Sequence, residues 1–276
     1  MNRRAVYAGR FYPGFAGALS SQIESWIKSA EPKSVKEKTM ALVVPHAGYM
    51  YSGAIAGRAF NEISGEEVDA FIILHPSHHA AGFDYSVSPF DVYETPLGEL
   101  QLDEECYAFF TEGRDGHKTW LRYHEQEHSM EVQLPLIKYF FPDAKVCAVM
   151  LGSQGYDNSL MIAEKIDALL RQTKRRIVVV ASTDLSHYHH ARKAERIDKL
   201  LAKKVQDGEM DELWELICDS EVEACGIGAI LSVMALNKAW PQSKLQILEY
   251  THSGEVSGDN SQVVGYLTAR LYLEEE

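Results

Sequence analysis

Four runs of uninterrupted apolar residues punctuate the chain: Ala41–Val44, Ala70–Leu74, Val146–Leu151 and Ile177–Ala181. A strand covered on one face alternates apolar with polar residues, whereas a strand covered on both faces does not. These runs therefore predict inner strands over 40–44, 70–74, 146–151 and 177–182. Between them the apolar spacing lengthens to a helical period, predicting helices over 53–62, 102–111, 129–140, 157–171, 191–206, 209–217 and 225–236. Pro135 marks a point of distortion in the helix over 129–140. A loop-rich stretch occupies 75–100, and two further strands are expected over 244–250 and 262–272.

Near the N-terminus, Ser21–Glu24 fits a capping box for a short helix ending at Lys28, with Leu19, Ile23, Trp26 and Ile27 on one face. The polar segment Glu31–Lys38 contains a proline and reads as a loop. No Gly/Ser-rich or Pro-rich linker interrupts the alternation. The expectation is one α/β domain over 1–276, a mixed, largely parallel β-sheet flanked by helices.

Histidines gather where these strands end. His46 follows Val44 and Pro45, His78 and His79 follow the run ending at Leu74, and Asp184 and His187 follow Ile177–Ala181. Loops at the carboxyl ends of parallel strands share one crevice, so these side chains are candidates for a metal or acid–base site. Each also has a plainer reading. His46 can close its strand by bonding a carbonyl, His78 and His79 can be solvated, and Asp184 can cap the next helix. An aspartate beside a histidine also suits a general acid–base pair. Cys225 opens an expected helix, whose positive end favours a thiolate there. A cysteine beside Ala224 and Gly226 is equally consistent with a small packed residue. Glu127 and His128 precede another helix that Ser129 can cap, and the sequence leaves their role, and that of His75, open. Tyr49, Tyr51 and Tyr188 are candidates either for the site's walls or for the core.

Composition narrows the field of functions. With 46% hydrophobic and 24% charged residues, the chain has the balance of a folded globular protein. A net charge of −13 argues against a nucleic-acid partner, which requires a basic footprint. Four cysteines without a CxxC pair fit a reducing compartment rather than a disulfide framework. The N-terminal residues lack an apolar signal core, and no apolar run is long enough to span a bilayer. A cytoplasmic location without membrane association is expected. The sequence carries no GxSxG elbow, HExxH helix, Walker loop or GxGxxG fingerprint.

Several motifs in order resemble the Memo family, whose bacterial and archaeal members are called AmmeMemoRadiSam system protein B. They are Ala8–Pro13, Pro45–Gly53, Pro76–His79, Glu127–Pro135, Thr183–Tyr188 and Cys225–Gly226. The resemblance runs nearly end to end, and it implies a fold similar to class III extradiol dioxygenases, which are non-haem iron enzymes. It implies His46, His78 and Cys225 as metal ligands, with Asp184 and His187 lining the pocket and His187 as acid–base. Iron(II) is the implied metal, with copper or zinc as alternatives. The implied activity is a dioxygenase-like oxidoreduction of a small molecule. A zinc-dependent hydrolase and a non-catalytic module binding a ligand or peptide partner are the alternatives. Two departures stand out. The ring-cleaving enzymes use a carboxylate where this chain has Cys225, and His75 replaces the usual glycine before Pro76–His79.

Overall fold

The computed structural model describes residues 1–27, 37–112 and 121–274. Lys28 and residues 31–36 of the expected N-terminal helix and loop lie outside the described residues. In chain order, β1 (Asn2–Arg3) and α1 (Ala16–Ile27) precede β2 (Glu37–Val44). A π turn, Tyr49–Gly53, leads into α2 (Ala54–Glu62), followed by β3 (Ala70–Pro76). Next come β4 (Tyr85–Val87), β5 (Val92–Thr95), β6 (Gly98–Gln101) and α3 (Glu104–Thr111). Three short helices follow, α4 (Leu121–Gln126), α5 (His128–Glu131) and α6 (Leu134–Phe140). Then come β7 (Lys145–Leu151), α7 (Tyr156–Gln172), β8 (Ile177–Ser182) and β9 (His187–His189). The chain continues through α8 (Ala191–Asp207), α9 (Met210–Cys218) and α10 (Ile227–Ala239). It closes with β10 (Ser243–His252), α11 (Gly254–Ser257) and β11 (Val263–Glu274).

The main sheet has the order β10-β11-β2-β8-β3-β7-β4, with β9 paired to β11. Its centre, β2, β8, β3 and β7, is parallel. The outer strands β11, β10 and β4 run antiparallel. The apolar runs are these four parallel strands, and their continuity has a direct cause: both faces are covered. Leu42, Val44, Phe71, Ile73, Val178 and Val180 pack with Leu19, Ile23, Phe60 and Leu136 from α1, α2 and α6. Their alternates Val43, Ile72, Leu74, Val179 and Ala181 pack with Ile162, Ile166, Leu201 and Ile230 from α7, α8 and α10. The expected α/β fold holds.

Three local expectations change. Helix α1 begins at Ala16, so Ser21 lies inside it and Ser21–Glu24 is not a capping box. Burying Leu19 as well as Ile23 against the sheet extends the helix N-terminally. The helix expected over 129–140 is divided into α5 and α6, and Pro135 sits in the first turn of α6, where its missing N–H breaks no helical bond. The stretch 75–100 contains β4, β5 and β6; β5 and β6 join β1 in a separate three-stranded sheet.

Because β2, β8 and β3 are parallel neighbours, the segments leaving their carboxyl ends emerge side by side. These carry His46, Asp184 and His78. The π turn after His46 is held against α1 by close packing: a Cβ on Gly53 would lie 2.5 Å from the Trp26 ring.

Candidate metal centre

His46 is buried, with its main-chain N–H donating to Asp184 Oδ1 at 2.8 Å. Its Nδ1 lies 3.0 Å from Ser182 Oγ. The Ser182 hydroxyl donates to the Ser129 carbonyl at 2.7 Å and accepts from Gln133 Nε2 at 2.9 Å. A hydroxyl has one proton, so the network assigns the remaining donor role to His46 Nδ1. The consequence is that Nε2 keeps its lone pair, and it faces Cys225 Sγ at 3.2 Å.

His78 follows the same logic. Glu127, fully buried, accepts the His78 main-chain N–H and lies 2.8 Å from its Nδ1. An ionised carboxylate only accepts, so Nδ1 carries the proton and Nε2 is free to ligate. Glu127 is itself fixed by the Ser129 main-chain N–H and hydroxyl at 3.0 and 2.9 Å. His128, at the start of α5, completes the cluster. Its ring centroid lies 4.4 Å from that of His78 and 5.4 Å from that of His46. His46, His78 and His128 offer ligand atoms all within 4.8 Å of one another.

Cys225 stands beside this triad. Its sulfur touches His46 Nε2 and accepts the Asp184 main-chain N–H at 3.2 Å. Gly226 permits the approach, since a Cβ there would lie 2.5 Å from the Ser182 carbonyl oxygen. Helix α10 begins at Ile227, so Cys225 precedes the helix instead of occupying its first turn. Burial pushes the thiol up to about 12, and the Asp184 carboxylate pushes the same way. The low-pKa thiolate expected from a helix end is therefore not intrinsic to the fold. A metal that binds this sulfur must displace its proton.

Asp184 caps no helix; His190 is the N-cap of α8. Burial raises the Asp184 pKa, against the hydrogen bond from His46 N–H and the nearby His187 and His128. His187 lies half-buried in β9, on the wall of a cavity of about 670 Å³ shared with Lys193, Arg196, Val222 and Ala224. His75 points away from the cluster: it is fully buried, with Nδ1 3.1 Å from both Ser129 Oγ and the Pro76 carbonyl. Tyr49 is a core residue bonded to the Val132 carbonyl, whereas Tyr188 is exposed at φ 61°. The sequence had left His128 and Glu127 open and gave no hint of Ser182 or Gln133. The acidic residue before His128 was the one available signal.

The ring environments favour neutral imidazoles, the form that binds metal. Burial, then the neighbouring His78, takes His46 well below its usual pKa. Burial foremost takes His75 and His128 down to about 4. Glu127 stays ionised because the His78 hydrogen bond outweighs its burial. Unfolded histidines take up protons near pH 6.5, above these folded values, so the unfolded state binds more protons between pH 6.5 and 4. Stability of the metal-free protein therefore falls as pH drops through that window. Thermal denaturation across pH 4–7 should show Tm falling below about 6.5; a flat profile would contradict the buried neutral histidines.

The family model described as Memo-like protein matches residues 3–270. The chain belongs to the Memo family. A MEMO1 family protein of Sulfurisphaera tokodaii is 34% identical, over 98% of this chain and 99% of that one. One from Sulfolobus acidocaldarius is 36% identical over 98% and 99%. The crystal structure of an uncharacterized protein from Escherichia coli K12 aligns with a TM-score of 0.47 and 13% identity, over 84% of this chain and 99% of that one. Among the described residues of this Memo-family chain, no helix is long and apolar enough to cross a membrane.

Within the Memo-family site, Glu127 supports metal binding without being a ligand candidate in the triad. Glu127→Gln keeps the shape but replaces one carboxylate acceptor with a donor. Metal affinity should fall about 10- to 100-fold, measured by competition with a chelating dye. Unchanged affinity would remove Glu127 from this role.

Proposed function

We propose that this protein is a non-haem iron-dependent oxidoreductase, dioxygenase-like, acting on a small organic molecule. The observation that carries the reading is the preset tautomer of His46 and His78, each with Nδ1–H engaged and Nε2 free beside a sulfur or a third imidazole. That donor set fits a transition ion: His46, His78 and Cys225 would hold it, with His128 as the adjoining nitrogen. Bound iron would supply redox chemistry and open positions for oxygen and a chelating substrate.

The chain's own residues supply the remainder. Asp184 fixes the His46 main chain and directs its own N–H at the Cys225 sulfur. Glu127 holds the His78 ring. His187, reached from the adjoining cavity, gives or takes the substrate's proton.

The test is anaerobic reconstitution with iron(II), followed by oxygen-uptake measurements with a panel of catechols and other chelating small molecules. Substrate-dependent uptake is expected, lowered about 10²- to 10⁴-fold in His187→Ala at unchanged iron content. Zinc as the metal bound on purification, with oxygen-independent hydrolysis, would replace this reading by a zinc hydrolase. Tight binding of a ligand or peptide without turnover would replace it by a binding module.

A further inference from the structure

His252, the last residue of β10, is 3% exposed, yet neither of its ring nitrogens makes a hydrogen bond. Buried polar groups seldom go unpaired, so such a ring calls for a partner. Its Nδ1 is enclosed without one. Its Nε2 faces two carboxylates, Glu195 Oε1 of α8 at 3.7 Å and Glu255 Oε1 of α11 at 3.6 Å. All three residues line a cavity of about 340 Å³.

These separations are informative. An N–H···O bond spans about 2.7–3.2 Å, so both oxygens stand too far for direct bonding. The edge of a tetrahedron whose corners lie about 2.1 Å from a zinc ion is roughly 3.4 Å. The nitrogen and each oxygen are therefore spaced nearly as neighbouring ligands of one ion. The other charges at the cavity do not displace it. Lys199 sits 3.3 Å from Glu195 Oε2, leaving Oε1 toward His252, and Arg58 holds Glu249 at 2.9 Å. Glu255 is 67% exposed, so its side chain is free to swing inward.

We infer that His252, Glu195 and Glu255 form a second divalent-cation site, for zinc or a similar borderline ion, clipping α8, β10 and α11 together. It is separate from the histidine cluster and does not depend on the proposed iron chemistry. Helix α11 also packs against the π turn that follows His46, so an ion here would brace that turn.

The experiment is zinc titration by calorimetry on the full chain carrying His46→Ala, which disables the main centre. A single zinc equivalent should remain, and zinc should raise the Tm of this variant. Adding His252→Gln should abolish that equivalent. Adding Glu255→Gln instead, an exposed change that leaves the core intact, should weaken zinc about tenfold or more. Absence of zinc binding in His46→Ala would overturn the inference. So would a residual equivalent indifferent to both further substitutions. If the His252→Gln chain fails to fold, the Glu255→Gln comparison decides alone.

Discussion

His46→Ala should lose its iron. His46 stands between the other donors: its Nε2 is 3.2 Å from the Cys225 sulfur, and its ring centroid is 5.3 Å from His78 and 5.4 Å from His128. Its Nδ1–H is committed to Ser182 in a network that also engages Gln133 and Ser129. Removing the ring takes away a preset lone pair and leaves the Ser182 oxygen short of one donor. Changes in outer partners alone lower metal affinity about 10- to 100-fold, so loss of this ring should exceed that. Cys225→Ala should act differently. It leaves three imidazoles and removes the soft donor, so affinity falls less while preference moves away from thiolate-seeking ions. Anaerobic elemental analysis of the two variants beside the parent gives the answer. Full iron occupancy in His46→Ala would dismiss the cluster as a metal centre.

The largest stability effect should come from Glu131→Ala. Glu131 and Arg3 form a 2.6 Å ion pair with both side chains fully buried. Glu131 also accepts from the Tyr7 main-chain N–H at 2.7 Å and the Tyr12 hydroxyl at 2.6 Å. Arg3 donates to the carbonyls of His124, Glu125 and Glu127 at 3.0, 3.1 and 2.9 Å. Deleting the carboxylate strands a guanidinium away from water, which typically costs about 3–5 kcal/mol. In a chain of this size that corresponds to a Tm loss of roughly 10 °C. The same change should weaken iron binding, since Arg3 grips the backbone that carries Glu127 and His128. Thermal unfolding of the metal-free variant measures the first effect. A Tm within about 3 °C of the parent would mean the pair is not a net support of the fold.

The legible parts of the site are those written in local pattern. His46, His78 and Asp184 each lie two residues beyond a strand whose burial shows in its apolar run, so their approach to one crevice could be read from the sequence. Cys225 and His187 came from ordered motifs shared with a family. His128 was not legible as a cluster member. It lies fifty positions beyond His78 in the chain, on the short helix α5, and nothing local signals which way its ring turns. The expected start of the Cys225 helix failed because a helical period does not mark where the last unwound residue ends. Here Gly226 is pressed against Ser182 and Thr183 before the helix begins.

By itself the sequence determined the inner strands, the α/β class and the place where chemistry gathers, because continuous apolar runs and the residues that end them are local consequences of burial. The tertiary structure alone decided the strand order, which makes β2, β8 and β3 neighbours. It also decided that Glu127 and Ser182 choose the histidine tautomers, that Arg3 meets Glu131, and that His252 faces Glu195. These outcomes depend on side chains far apart in the chain meeting at angstrom distances, and no local periodicity encodes such a meeting.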